Sequence, residues 1–133
     1  MRSDSTPQPP ASGAWRWAVV AAYMAAIFVT SGGPGPDLPP VENADKVLHA
    51  AAYGGLAGLA AWALARGRLR TTTARVAVTA WALAAAYGAS DELHQYFVPR
   101  RQSDWRDLAA DAIGAAAVAG ALWAWGIIAR GSE

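Results

Sequence analysis

The sequence predicts an all-α fold, a polytopic membrane bundle of four helices. Three observations predict it. Hydrophobic residues make up 54% of the 133 positions and charged residues only 16%, against about 25% charged in soluble domains. Four stretches approach the roughly 20 mostly apolar residues that cross a bilayer. Short connections join them, three of which are polar or proline-rich. Mean hydropathy is only +0.16, because it averages long apolar runs with short polar segments and because the 34 alanines score weakly. A disordered chain is excluded by the apolar content. A nucleic-acid binder is disfavoured, since 11 basic against 10 acidic side chains leave no basic face to neutralise phosphates. The absence of cysteine removes disulfides, thiolate nucleophiles and cysteine metal sites.

Residues 1–14 read as a disordered tail, and residues 15–130 as the membrane domain. The first span covers 15–31 and carries one charge, Arg16. Its apolar run is long for a signal peptide and no clear cleavage site follows, so it reads as a retained helix. Residues 31–40, rich in glycine and proline, read as a non-helical loop. The second span, 47–65, is interrupted only by His49. The third, centred on 76–90, is short unless it extends back through 71–75 or onward through Tyr96. The fourth, 108–129, carries Asp111 in its first turn. These segments lack the polar face of a soluble amphipathic helix.

Basic residues set the expected orientation. The connection at 66–75 holds Arg66, Arg68, Arg70 and Arg75 without an acid. Placing it in the cytoplasm puts both termini there, with seven basic residues inside and four outside. Trp15, Trp17, Trp62, Trp123 and Trp125 then lie toward the cytoplasmic interface, where indoles collect.

Polar side chains gather on the opposite, outer side. Asp45, His49 and Tyr53 are spaced i, i+4, i+8, so they stack on one helix face, joined by Lys46. The plainer readings are a helix-terminus acid for Asp45 and an interface anchor for Lys46. His49 lies one turn inside a span, where an ionisable group is costly and usually functional. At the end of the third span, Tyr87, Asp91 and Gln95 share a face, with Glu92 beside them. The adjacent acids Asp91 and Glu92 are expected to divide, one entering the pocket as acid, base or ligand and the other pairing with an arginine. His94 falls on another face and is set aside. Asp104, Asp107 and Asp111 form a third stripe. The helix dipole explains the first two, whereas Asp111 lies deeper and needs a partner. Gly54, Gly58 and Gly114 read as close-packing positions. Three stripes thus point at one outward, membrane-level cavity, suited to an anionic lipid head group beside a proton-moving residue.

The same residues carry a family resemblance. Asp45-Lys46-Val-Leu-His49-Ala-Ala-Ala-Tyr53 resembles the D-K-x-x-H-x-x-x-Y motif of the VanZ-like membrane proteins. Asp91-Glu92-Leu-His-Gln95 resembles their D-E-x-x-Q motif. Arg101, Asp107, Asp111 and Gly114 match R-x5-D-x3-N-x2-G, except that Asp111 stands where the family usually has asparagine. The resemblance covers roughly 40–120 and implies a multi-pass protein of the bacterial inner membrane with a cell-envelope role. The family's namesake is linked with resistance to teicoplanin, a glycopeptide acting on cell-wall precursors. Resistance itself does not transfer.

The first functional expectation is action on a lipid or lipid-linked phosphate head group at the outer face, as a hydrolase or transferase. His49 is then nucleophile or base, oriented by Asp45 or a carboxylate of the fourth span. Asp91, Glu92 and Asp107 supply acid, base or ligand groups. Lys46 and Arg101 hold phosphate, with Tyr53, Gln95 and Asp111 lining the site. The alternatives are a non-catalytic binder of a lipid-linked precursor or glycopeptide, a purely structural polar cluster, and an ion conduit. The conduit is weakest, because the first two spans show no charge between Tyr53 and the arginine-rich connection. His49, Asp91, Glu92 and Asp107 offer mixed ligands for zinc or magnesium, but no paired-histidine spacing supports a site, so no metal or other cofactor is assigned.

Overall fold

A computed structural model describes residues 13–33, 43–99 and 103–132. Four helices run α1 (Ala14–Ser31), α2 (Ala44–Leu64), α3 (Ala74–Tyr96) and α4 (Trp105–Gly131), with a short 3-10 turn at Leu69–Thr71 before α3. The expected loop at 31–40 begins one residue later, since Ser31 closes α1, and residues 34–42 lie outside the described residues, as does the tail before Gly13. The third helix extends in both directions beyond 76–90, reaching Tyr96.

Local chemistry sets the boundaries. The Thr73 hydroxyl accepts the Val76 N–H at 3.3 Å and starts α3. The Asp104 carboxylate accepts the Arg106 N–H at 2.9 Å and starts α4. Both satisfy backbone donors that a helix start leaves open. α2 ends where Arg66 and Gly67 turn left-handed, and the Gly67 N–H closes back on the Trp62 carbonyl at 2.8 Å. Glycine adopts that backbone without penalty.

α2, α3 and α4 form a mutually packed trio, and α1 lies mainly against α2. The trio's interior is built from small residues. Ala57, Ala60, Ala61, Ala80, Ala84 and Ala115 are fully buried. Gly114 of α4 presses on the Ala50 backbone of α2, and Gly54 meets Val118 and the Gly114 carbonyl. Large apolar side chains face outward instead: Val78, Ile113 and Ile128 are 61%, 68% and 70% exposed. Small residues inside and large apolar ones outside suit a bundle surrounded by lipid, where close backbone packing replaces the hydrophobic drive between helices.

α1, α2 and α4 are each long and apolar enough to cross a membrane. α3 has the length, at 23 residues, but its last two turns carry Asp91, Glu92, His94 and Gln95. The alternating direction of the helices brings the start of α2, the end of α3 and the start of α4 to one end. The 3-10 turn and the end of α4 meet at the other, where Arg130 donates to the Thr72 carbonyl at 3.4 Å. The indole rings of Trp15 and Trp62 pack edge to face there, 5.1 Å apart.

Candidate functional site

The polar end of the bundle holds a graded set of side chains. At its mouth Lys46, from the first turn of α2, is the hub. Its Nζ lies 2.6 Å from Asp107 Oδ1, 2.7 Å from Asp45 Oδ2 and 3.3 Å from Asp104 Oδ2. The backbone N–H of Arg106, aided by the Lys46 ammonium, holds the Asp104 carboxyl below the usual range. Asp45 stays exposed and touches Lys46, while Asp107 is buried.

One turn deeper, His49 Nδ1 lies 2.9 Å from Asp111 Oδ1, and its Nε2 lies 3.9 Å from Asp107 Oδ2. The carboxylate that orients His49 is therefore Asp111 of α4, not Asp45 of its own helix. The i, i+4 spacing does align Asp45 with His49, but Asp45 sits at the helix start, where its side chain turns to solvent and to the neighbouring ammonium. The Tyr53 ring stacks near His49, with centroids 6.4 Å apart. Its buried hydroxyl has no hydrogen-bond partner among the described residues. Gly88 of α3 makes room for this layer: a Cβ there would come within 2.9 Å of Asp111 Oδ2 and 3.3 Å of the Tyr53 ring.

Asp91 and Glu92 are both buried and turn in different directions. The end of α3 lies in a crevice with polar partners on two sides, so neighbouring acids both find burial. Asp91 turns toward α1, accepting from the Ser31 hydroxyl and from Gln95 Nε2, the latter at 3.1 Å. Glu92 turns toward α4. Its Oε2 accepts from Ser103 Oγ at 2.9 Å and from the Asp104 N–H at 3.0 Å. Neither carboxylate has an arginine partner among the described residues, and Arg101 lies outside them.

The stripes therefore converge as two adjoining patches. Lys46, His49, Glu92, Asp107 and Asp111 form one, and Asp91 with Gln95 and Ser31 forms the other. His94 stays apart, stacked on Phe28 at 4.3 Å. Ser31, Ser103 and Gly88 went unnoticed in the sequence. Gly88 alone had a signal, lying one turn before the acids of α3. His49, Glu92 and Asp111 each place one donor atom within 4.8 Å of the others. With a half-buried imidazole fixed by a carboxylate and a partly open ammonium, this end can hold an anion at its mouth and move a proton one turn below.

No curated protein and no solved structure matches this chain. A family model, VanZ/LLP1, matches residues 11–128, a stretch containing all four helices up to the last turn of α4. With its three apolar, membrane-length helices, the chain is a multi-pass membrane protein and belongs to the VanZ/LLP1 family.

Proposed function

We propose that the polar end of the bundle faces the outer side of a bacterial inner membrane, with both termini cytoplasmic, and receives the phosphate-bearing head group of a lipid or lipid-linked envelope precursor. The observation that carries this reading is the convergence of Lys46, His49, Asp107 and Asp111 from two helices at the end of an otherwise apolar bundle. A head group sits at that depth while its acyl chains lie along the outward-facing Val and Ile side chains. Lys46, the least enclosed member of the buried layer, is the cation that meets phosphate, with Arg101 as the second. His49, with Asp111 fixing its ring, is the proton-transfer group, as carboxylate–imidazole pairs allow.

A structural role is the second reading, favoured by the close pairing of His49 with Asp111 and of Lys46 with Asp107. Incubating the purified chain with phosphatidate labelled in its phosphate separates the readings. Release or transfer of the label marks an enzyme. Retention of unchanged lipid, above that of matched diacylglycerol, marks a binder. Neither turnover nor selective retention leaves the polar cluster a structural one.

A further inference from the structure

We infer that His49, Glu92 and Asp111 form a binding site for one divalent transition-metal cation of the zinc type. The three residues come from α2, α3 and α4, and one donor atom of each lies within 4.8 Å of the other two. Acidic clusters are common without metals, so the inference rests on what the cluster leaves unsatisfied. Glu92 is 6% exposed and Asp111 0%. Each nevertheless keeps a buried carboxylate oxygen, Glu92 Oε1 and Asp111 Oδ2, that accepts no hydrogen bond from the described residues. Buried carboxylate oxygens without donors are costly and call for a partner. Both belong to the triad that also holds the imidazole.

Charge points the same way. Asp91, Glu92, Asp107 and Asp111 are all buried. The bases that meet them among the described residues are Lys46 and His49. Among the described residues, four carboxylates against two bases leave an excess of negative charge in a region removed from water, and a divalent cation cancels it directly.

The donor set identifies the class of ion. One imidazole and two carboxylates favour zinc-type ions over magnesium, which prefers an all-oxygen octahedron. Bonds of about 2 Å need the three donors to close by roughly an ångström, a movement within reach of side chains at helix ends. Three protein ligands leave a coordination position open, the pattern of catalytic rather than structural zinc. Asp107, 3.9 Å from His49 Nε2 and clamped by Lys46, is placed to hold the ring from behind. The inference stands on this geometry and does not need the lipid reading: zinc is bound whether or not a phosphate lipid is.

The test is equilibrium dialysis of the tag-free full chain in detergent against zinc, with the metal counted by mass spectrometry. The wild type is expected to hold about one ion per chain and to melt at a higher temperature with zinc present. Glu92→Gln and Asp111→Asn preserve shape and remove only charge. Each is expected to keep the helical circular dichroism of the wild type and to bind zinc about tenfold more weakly or worse. Magnesium is expected to bind well below zinc. Absence of stoichiometric zinc in the folded wild type, or zinc binding by both variants equal to that of the wild type, would overturn the site.

Discussion

Replacing Gly114 with alanine is expected to destabilise the bundle by about 3 kcal/mol, the upper part of the usual overpacking range. The added methyl would overlap the Ala50 carbonyl oxygen and crowd its Cα. Backbone cannot rotate away as a side chain tip can, so α2 and α4 must separate along their whole contact. That contact is the most extensive in the molecule, and it carries Lys46 and His49 on one side and Asp107 and Asp111 on the other. Unfolding in detergent measures the loss. Gly120→Ala is the control, because a methyl there meets nothing within 4 Å. It is expected to be neutral or to gain up to about 1 kcal/mol from helix propensity. Equal stability of the Gly114 and Gly120 variants would contradict the described approach of the two helices.

His49→Ala is expected to cost about 3–5 kcal/mol, the penalty for leaving a buried carboxylate without its partner. Asp111 is fully buried and, among the described residues, only its Oδ1 has a partner, the His49 ring. Adding Asp111→Asn to that variant should recover much of the loss, because a neutral amide is cheaper to bury than an ion. His49→Gln keeps a donor near Asp111 and should stay within about 1 kcal/mol of the wild type. It cannot titrate near neutral pH as imidazole does, so it should be folded yet fail in the labelled-phosphatidate assay. A glutamine variant that handles the lipid as the wild type does would remove the proton-transfer role and leave His49 as a structural partner.

The helices were legible because a bilayer imposes length and apolarity on each segment separately, and those are local properties. The third is the hardest to bound, since its apolar stretch, 76–90, is short and its extension toward Tyr96 is polar. In fact Asp91, Glu92 and Gln95 continue the helix because α1 and α4 supply partners for them. Helical spacing correctly brought Asp107 and Asp111 to His49. It could not decide between Asp45 and Asp111 as the partner of that ring, because periodicity aligns residues within a helix and says nothing of which neighbour faces it. The two serines were invisible for the same reason: Ser31 and Ser103 matter only through contacts across helices. Glycine at 114 was read as a close-packing position, and the overlap at Ala50 shows why nothing larger fits.

Entry of a phosphate head group at an outward-facing polar end is tested most directly by thiol labelling beside Lys46. Trp105 is exposed at the first residue of α4, next to the Asp104 that meets Lys46. Arg70 is exposed in the 3-10 turn at the opposite end. The chain has no cysteine, so Trp105→Cys and Arg70→Cys each carry a single thiol. In right-side-out vesicles an impermeant maleimide is expected to label Trp105→Cys and to spare Arg70→Cys until the membrane is opened. Added short-chain phosphatidate should slow the Trp105→Cys reaction, and matched diacylglycerol should not. Labelling of Arg70→Cys alone in sealed vesicles, or a Trp105→Cys rate indifferent to phosphatidate, would contradict the account.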